Sequence, residues 1–196
     1  MRPWLQKIVE KPEREVSWLQ TLSLLESIGA RKIAKTVGRG SPSLEVKEHL
    51  ADEERHAVAF GGLVRQLAGG AEVVPLCGEA AVGYFQGLDR QVSHWMTELS
   101  GREDPWQNYL LVTALIERRA MRLYPLYRQL TRNDLVRDEL GRIIEEEARH
   151  RQTIEGQGLK ILQQYGVSDF AAGMRIEAGL FSRLEVALQC ATAATQ

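Results

Sequence analysis

The chain is poor in cysteine and has no long apolar run. Its two cysteines, Cys77 and Cys190, lie far apart and form no Cys-x-x-Cys pair, which excludes a four-cysteine iron or zinc module. Two lone thiols without a disulfide framework indicate a reducing compartment. No segment has the 18 or more apolar residues typical of a membrane span, and the N-terminus lacks the apolar stretch of a secretory signal. We therefore expect a cytoplasmic protein that does not contact a membrane.

The chain also lacks an excess of charge of either sign. Its formal net charge is -1, so no overall basic field would recruit nucleic acid. Hydrophobic residues make up 44% of the 196 residues and charged residues 26%, which is ordinary for a globular protein. The length predicts one domain over residues 1–196, large enough to bury a core.

Only six prolines are present, and clusters of glycine and proline divide the chain into helices. The segment 38–42 should end a first long helix that starts near residue 13, and Ser43 is a suitable N-cap for a second that ends near residues 69–70. Pro105 suits the first turn of a third helix, with Asp104 as its cap. The turn 131–134 separates it from a fourth, which Gly166 should close.

Two further segments have helical character but fall outside this set of four. Residues 79–99 lie within the long connection between the second and third helices, and residues 168–193 follow the fourth. A weaker helical pattern covers residues 4–10. Short, long and short links between four helices are typical of ferritin-like bundles, so we predict an all-α antiparallel four-helix bundle with a helical crossover and an additional C-terminal helix.

One pattern occurs in two matched halves. Glu26 precedes the Glu-x-x-His of Glu53 and His56 by 27 residues, and Glu117 precedes that of Glu147 and His150 by 30 residues. Residues three apart on a helix are neighbours on one face, so each histidine lies beside its glutamate.

The helical register places all four glutamates on buried faces. Each interrupts a run of mostly apolar residues spaced alternately three and four apart, such as Leu19, Leu22 and Ile33 around Glu26. Buried carboxylates are costly unless they are paired or bound to metal, and four in one core would repel one another. Two divalent cations would neutralise them, so the pattern predicts a two-metal site.

The two remaining histidines lack this support. His49 lies one turn before Glu53 and could approach the site, although an ordinary position on a helix face is the simpler interpretation. His94, in the crossover segment, is expected to be structural or exposed.

With these motifs the chain resembles the ferritin-like di-iron carboxylate superfamily over residues 13–165. The resemblance implies six metal ligands, with Glu53 and Glu147 bridging two ions and Glu26 and Glu117 as terminal ligands; the set is Glu26, Glu53, His56, Glu117, Glu147 and His150. In several members the acid before each bridging glutamate hydrogen-bonds a ligand histidine of the other half, a position that Asp52 and Glu146 occupy here. Surface charge is the alternative for both.

The departures from known members narrow the function. The chain lacks the four-cysteine module of rubrerythrins, and classical ferritins lack a second Glu-x-x-His. The crossover is predicted to be helical in this chain, whereas it is generally extended in bacterioferritins. Residues 116–119 and 147–150 resemble the tRNA-modifying di-iron monooxygenases, and four arginines of the third helix could meet phosphates, although a solvated basic face is the simpler explanation; these are Arg118, Arg119, Arg122 and Arg128.

The resemblance implies two iron ions, with manganese or a mixed pair as alternatives. The expected function is an oxidoreductase that activates O2 or peroxide, in the first place a monooxygenase or hydroxylase acting on an organic substrate or RNA with an external electron donor. Iron handling or peroxide scavenging, and a helical interaction protein with a vestigial site, are the alternatives.

Tyr124, on the same helix as Glu117, is expected to pack or hydrogen-bond near the metals, with a redox role as the other possibility. We expect no catalytic side chain beyond the ligands, no organic cofactor site, and a homodimer as one possible assembly.

Overall fold

The structure, a computed structural model, describes residues 1–38 and 43–193. Within these residues it is all-helical, with seven helices and no strand. Their bounds are α1 Arg2–Val9, α2 Pro12–Val37, α3 Leu44–Leu67, α4 Gly78–Ser100, α5 Pro105–Leu130, α6 Asp134–Gln164 and α7 Ala171–Ala193. None of the helices in the described ranges is both long and apolar enough to span a membrane.

The helix boundaries follow the capping residues closely. Asp104 caps α5 by accepting hydrogen bonds from the backbone N–H groups of Trp106 and Gln107 at 3.0 and 3.1 Å. Ser43 holds the N-cap position of α3 but makes no capping side-chain bond. Gly166 follows α6 with φ of +75°, a conformation that suits glycine and lets the Val167 N–H reach the Leu162 carbonyl. Of the predicted turn 38–42, only Gly38 is described, as the C-cap of α2; residues 39–42 lie outside the described residues.

The four long helices α2, α3, α5 and α6 pack around a shared interior. The most extensive contacts join α2 to α3 and α5 to α6, and α2 also contacts α5 while α3 contacts α6. Burial of apolar side chains from all seven helices stabilises this arrangement, including Trp4, Trp18, Phe60, Leu88, Leu111, Leu140 and Leu188.

Helices α4 and α7 cover one side of this set. They pack on each other, and both contact α5, while α4 also contacts α2. An ion pair joins this layer to the four long helices. Arg119 of α5 donates two hydrogen bonds, of 2.8 and 2.6 Å, to the carboxylate of Glu177 in α7. The Tyr84 hydroxyl of α4 donates to the same carboxylate at 2.8 Å. The crossover and the C-terminal helix are thus parts of the core.

Candidate metal centre

The four predicted glutamates meet in the interior of the four long helices. Glu26, Glu53, Glu117 and Glu147 come from α2, α3, α5 and α6, and none is more than 9% exposed. The periodicity of the sequence explains this convergence, because each glutamate occupies a position that an apolar residue would otherwise fill.

Two groups of side chains could each hold a metal ion. One contains Glu26, His56 and Glu147, and in it the Nδ1 atom of His56 lies 3.2 Å from Oε1 of Glu147. The other contains His49, Glu117 and His150. In each group the donor atoms lie within 4.8 Å of one another.

Glu53 lies between these two groups. Its Oε1 is 3.1 Å from Nε2 of His49, and its charge raises the pKa of both Glu26 and Glu117. All six residues that the paired motif predicts are therefore brought together at one place.

His49 is the residue that the sequence interpretation placed wrongly. It is 2% exposed, and its Nε2 lies 3.4 Å from Glu117 in addition to its contact with Glu53. Its other nitrogen, Nδ1, lies 3.2 Å from the hydroxyl of Tyr109, and its ring packs against His150 at a centroid distance of 4.6 Å. The signal was present in the spacing, because a residue four before Glu53 shares its face.

Each motif histidine is held by the acid of the other half. Nε2 of His150 lies 2.9 Å from Asp52, and Nε2 of His56 lies 2.9 Å from Glu146. A carboxylate can only accept, so both Nε2 atoms carry the proton and the Nδ1 atoms face the interior. The predicted roles of Asp52 and Glu146 as partners of the histidines thus match the geometry.

Arg55 joins these two acids and was not predicted. Its Nη2 donates to Asp52 at 2.9 Å and to Glu146 at 2.6 Å. The pKa of each acid falls below its usual value, because the hydrogen bonds from Arg55 and the histidines outweigh the opposing effect of burial. Both acids therefore stay ionised and fix the orientation of the rings.

Burial and mutual repulsion dominate the electrostatics of the glutamates. Burial, then the charge of Glu147, raises the pKa of Glu53 to about 7. The same two causes raise the pKa of Glu117 well above its usual value, and burial followed by the charge of Glu53 does so for Glu26. Burial lowers the pKa of His56, but the Glu147 and Glu26 carboxylates outweigh it and raise the value to about 10. A divalent cation at the cluster would offset this repulsion between carboxylates.

The donor atoms that face the interior fit metal ions. Nδ1 of His150 and both carboxylate oxygens of Glu117 are buried without a hydrogen-bond partner among the described residues, while Nδ1 of His56 lies 3.2 Å from the Glu147 carboxylate. Buried polar atoms are normally paired, so the three unpartnered atoms are available to a ligand. Imidazole nitrogen together with carboxylate oxygen is a donor set that suits iron or manganese.

Tyr124 hydrogen-bonds the centre directly. Its buried hydroxyl donates to Oε1 of Glu26, as the hydrogen-bonding interpretation predicts, and its ring packs near Phe60 at a centroid distance of 6.0 Å. His94 is exposed and pairs only with Glu98, which confirms its expected position away from the site.

The arginines of α5 do not form a free basic face. Arg118 pairs with Glu155 at 2.8 Å, Arg119 is held by Glu177, and Nε of Arg128 donates to the Arg137 carbonyl. Three of the four arginines that could have met phosphates thus have protein partners.

Comparisons of the chain with protein-family models, curated proteins and solved structures gave no match.

Proposed function

We propose that this protein is a di-metal oxidoreductase with a ferritin-like bundle, in which two iron ions, or manganese in one or both positions, occupy the glutamate and histidine cluster. The observation that carries the proposal is the matched pair of half-sites, in each of which a histidine has its Nε2 fixed by an acid of the other half and its Nδ1 facing the interior. Nδ1 of His150 has no hydrogen-bond partner among the described residues, and Nδ1 of His56 faces the Glu147 carboxylate at 3.2 Å.

The residues divide the coordination between them. Glu26 and Glu117 would serve as terminal ligands, Glu53 and Glu147 as bridges, and His56 and His150 would each bind through Nδ1. His49 adds a third imidazole on the side of Glu117, so the two positions would differ in nitrogen content. When bound, the two metals would supply the electrons to activate O2 or peroxide, with an external donor restoring them.

The chain's own groups would manage the protons around that chemistry. The Tyr124 hydroxyl donates a hydrogen bond to Glu26 inside the cluster. A change of charge at Glu26 therefore acts directly on this phenol. Arg55 keeps Asp52 and Glu146 ionised at the edge of the cluster. Both histidines therefore keep the tautomer in which Nε2 carries the proton and Nδ1 can bind a metal. The reaction that best suits this site is oxygenation or hydroxylation of an organic substrate.

Metal stoichiometry tests the proposal. Anaerobic titration of the metal-free protein with iron(II) should show two ions per chain, and Glu53→Ala should lose one or both because both positions share this carboxylate. The matched control is Glu54→Ala, which removes the adjacent exposed carboxylate and should retain both ions. Two irons in both variants would contradict the assignment of Glu53 as a shared ligand, and a wild-type chain that binds no iron would leave a helical protein with a vestigial site.

A further inference from the structure

A narrow cavity runs from the glutamate cluster to the layer formed by α4 and α7. Its walls come from α2, α4, α5 and α7, and all four clustered glutamates line its inner end. No histidine lines it, and His49 and His150 instead border a separate depression between α3 and α6. The cluster therefore presents its carboxylates to the cavity, while the imidazoles of His49 and His150 border a different depression.

Away from the glutamates the walls are mainly apolar. They are built from aliphatic and aromatic side chains, among them Leu22, Ile33, Phe85, Ile116, Leu123 and Phe181.

The polar side chains of the wall are mostly engaged with the protein. The Tyr124 hydroxyl donates to Glu26, and both the Tyr84 hydroxyl and the Arg119 guanidinium donate to Glu177. A polar or charged molecule in the cavity would lose its water and find few new hydrogen-bond partners, which costs free energy.

The outer part of the cavity is bordered by an ion pair. Lys32 of α2 lines the cavity, and its ammonium pairs with Asp89 of α4, whose side chain is 42% exposed. Asp89 also accepts a hydrogen bond of 2.7 Å from the Asn108 amide of α5. The Lys32 side chain is 17% exposed and that of Asp89 is 42% exposed, so this pair marks where the cavity approaches the solvent.

We propose that this cavity binds the substrate of the di-metal centre, and that the substrate is a slender, uncharged, mainly hydrocarbon molecule lying with one end at the glutamates. This inference rests on the proposed function for the reaction, but the binding itself needs no metal. The cavity belongs to the added layer as much as to the four long helices, which gives α4 and α7 a role in choosing the substrate.

Binding can be measured with a small uncharged probe, 4,4,4-trifluoro-1-butanol, followed by fluorine NMR and displaced by primary alcohols of increasing chain length. In the metal-free protein we expect saturable probe binding and an alcohol affinity that rises about fourfold per methylene, the factor that corresponds to about 0.8 kcal/mol. Two variants narrow the cavity: Ala120→Phe, one turn after Glu117, and Leu25→Trp, on a partly exposed wall position. Each should weaken alcohol binding at least tenfold, whereas the exposed control Ala34→Phe should not change it.

The outcomes separate this inference from the proposed function. Alcohol binding that depends on chain length in a protein that takes up no iron would support the cavity and contradict the di-metal centre. Two bound irons with no saturable probe binding, with no dependence on chain length, or with unchanged affinity in both narrowed variants would overturn the inference alone. Displacement of the probe by total tRNA would also overturn it, because the cavity would then receive part of an RNA.

Discussion

The orientation of three histidine rings decides which atoms the interior offers to a ligand. In His56 and His150 the Nε2 atom is committed to an acid, whereas in His49 it is Nδ1 that meets the hydroxyl of Tyr109. His49 therefore presents the opposite nitrogen, Nε2, to Glu53 and Glu117. Burial lowers the pKa of His49, so the ring is neutral at pH 7. Nε2 faces the Glu53 carboxylate at 3.1 Å and carries the proton, so a metal ion at this nitrogen would displace that proton.

Replacement of His49 should affect one metal position more than the other. We expect His49→Ala to weaken the second iron(II) by about 10- to 100-fold, since removing an imidazole that binds or supports a metal has effects of that size. Anaerobic titration followed by absorbance measures both binding steps. His94→Ala, which removes an exposed histidine, is the control. If His49→Ala binds two irons as tightly as the wild type, the ring is a packing residue.

At this scale the sequence predicts the site well where periodicity applies. The depth of the four glutamates follows from their positions on helix faces. The pairing of Asp52 and Glu146 with the histidines was expected from the resemblance to di-iron carboxylate proteins, with surface charge as the alternative. The spacing places His49 on the same face as Glu53, but it does not show whether the ring turns toward the cluster. The contact between His49 and Tyr109 of α5 joins residues distant in sequence, and no local pattern encodes it.

At the scale of the helices, one glycine of α2 leaves room for the Glu53 carboxylate of α3. A Cβ atom on Gly29 would lie 2.8 Å from Oε2 of Glu53, one turn beyond Glu26. The close neighbour is the end of a flexible side chain, so an added methyl group would move the carboxylate and leave the helices in place. Gly29 therefore positions the carboxylate that lies between the two half-sites.

Gly29→Ala should separate stability from metal binding. Alanine raises helix propensity by up to about 1 kcal/mol over glycine, so we expect the free energy of unfolding of the metal-free protein to stay the same or increase slightly. Iron(II) affinity should fall, because Glu53 is displaced. Gly156→Ala in α6, where a Cβ meets nothing within 4 Å, should raise stability without changing iron affinity. Chemical denaturation and iron titration of both variants check this, and equal iron affinity would contradict it.

The helix boundaries were largely predictable, but the role of α4 and α7 was not. Caps such as Asp104 and the glycine after α6 act locally, so the sequence reveals them. The docking of α4 and α7 depends on contacts between residues distant in sequence, such as Arg119 with Glu177. No periodic pattern encodes which face they cover, and the cavity beneath them could not be foreseen.

At the scale of the whole molecule, stability should depend on pH and metal together. The pKa of His56 is raised to about 10 from a usual value of 6.5, so the folded state retains a proton that the unfolded state has lost between these values. The raised pKa values of Glu26 and Glu117 act in the same direction above their usual 4.5. The stabilising effect of these protons is present at low pH and lost as pH rises. The lowered pKa values of His49 and His150 oppose this only below about pH 6.5.

The metal-free protein should therefore lose stability between pH 7 and pH 8.5. We expect the free energy of unfolding to fall by on the order of 1 kcal/mol per pH unit. With saturating manganese(II) the slope should flatten or reverse, because metal binding requires the deprotonated ligands and releases their protons. Urea denaturation at several pH values measures both slopes. Parallel slopes with and without metal would show that the cluster does not bind it.

If two iron ions share Glu53 and Glu147, their unpaired spins should couple magnetically. That coupling is the most direct test of the proposed di-metal centre. The measurement is Mössbauer spectroscopy, with parallel electron paramagnetic resonance, of protein loaded anaerobically with two equivalents of iron(II) and then exposed to O2. We predict a spin-coupled diferric pair that accounts for most of the iron and gives no paramagnetic signal. Isolated high-spin ferric ions, or iron that does not stay with the protein, would contradict the two-metal site.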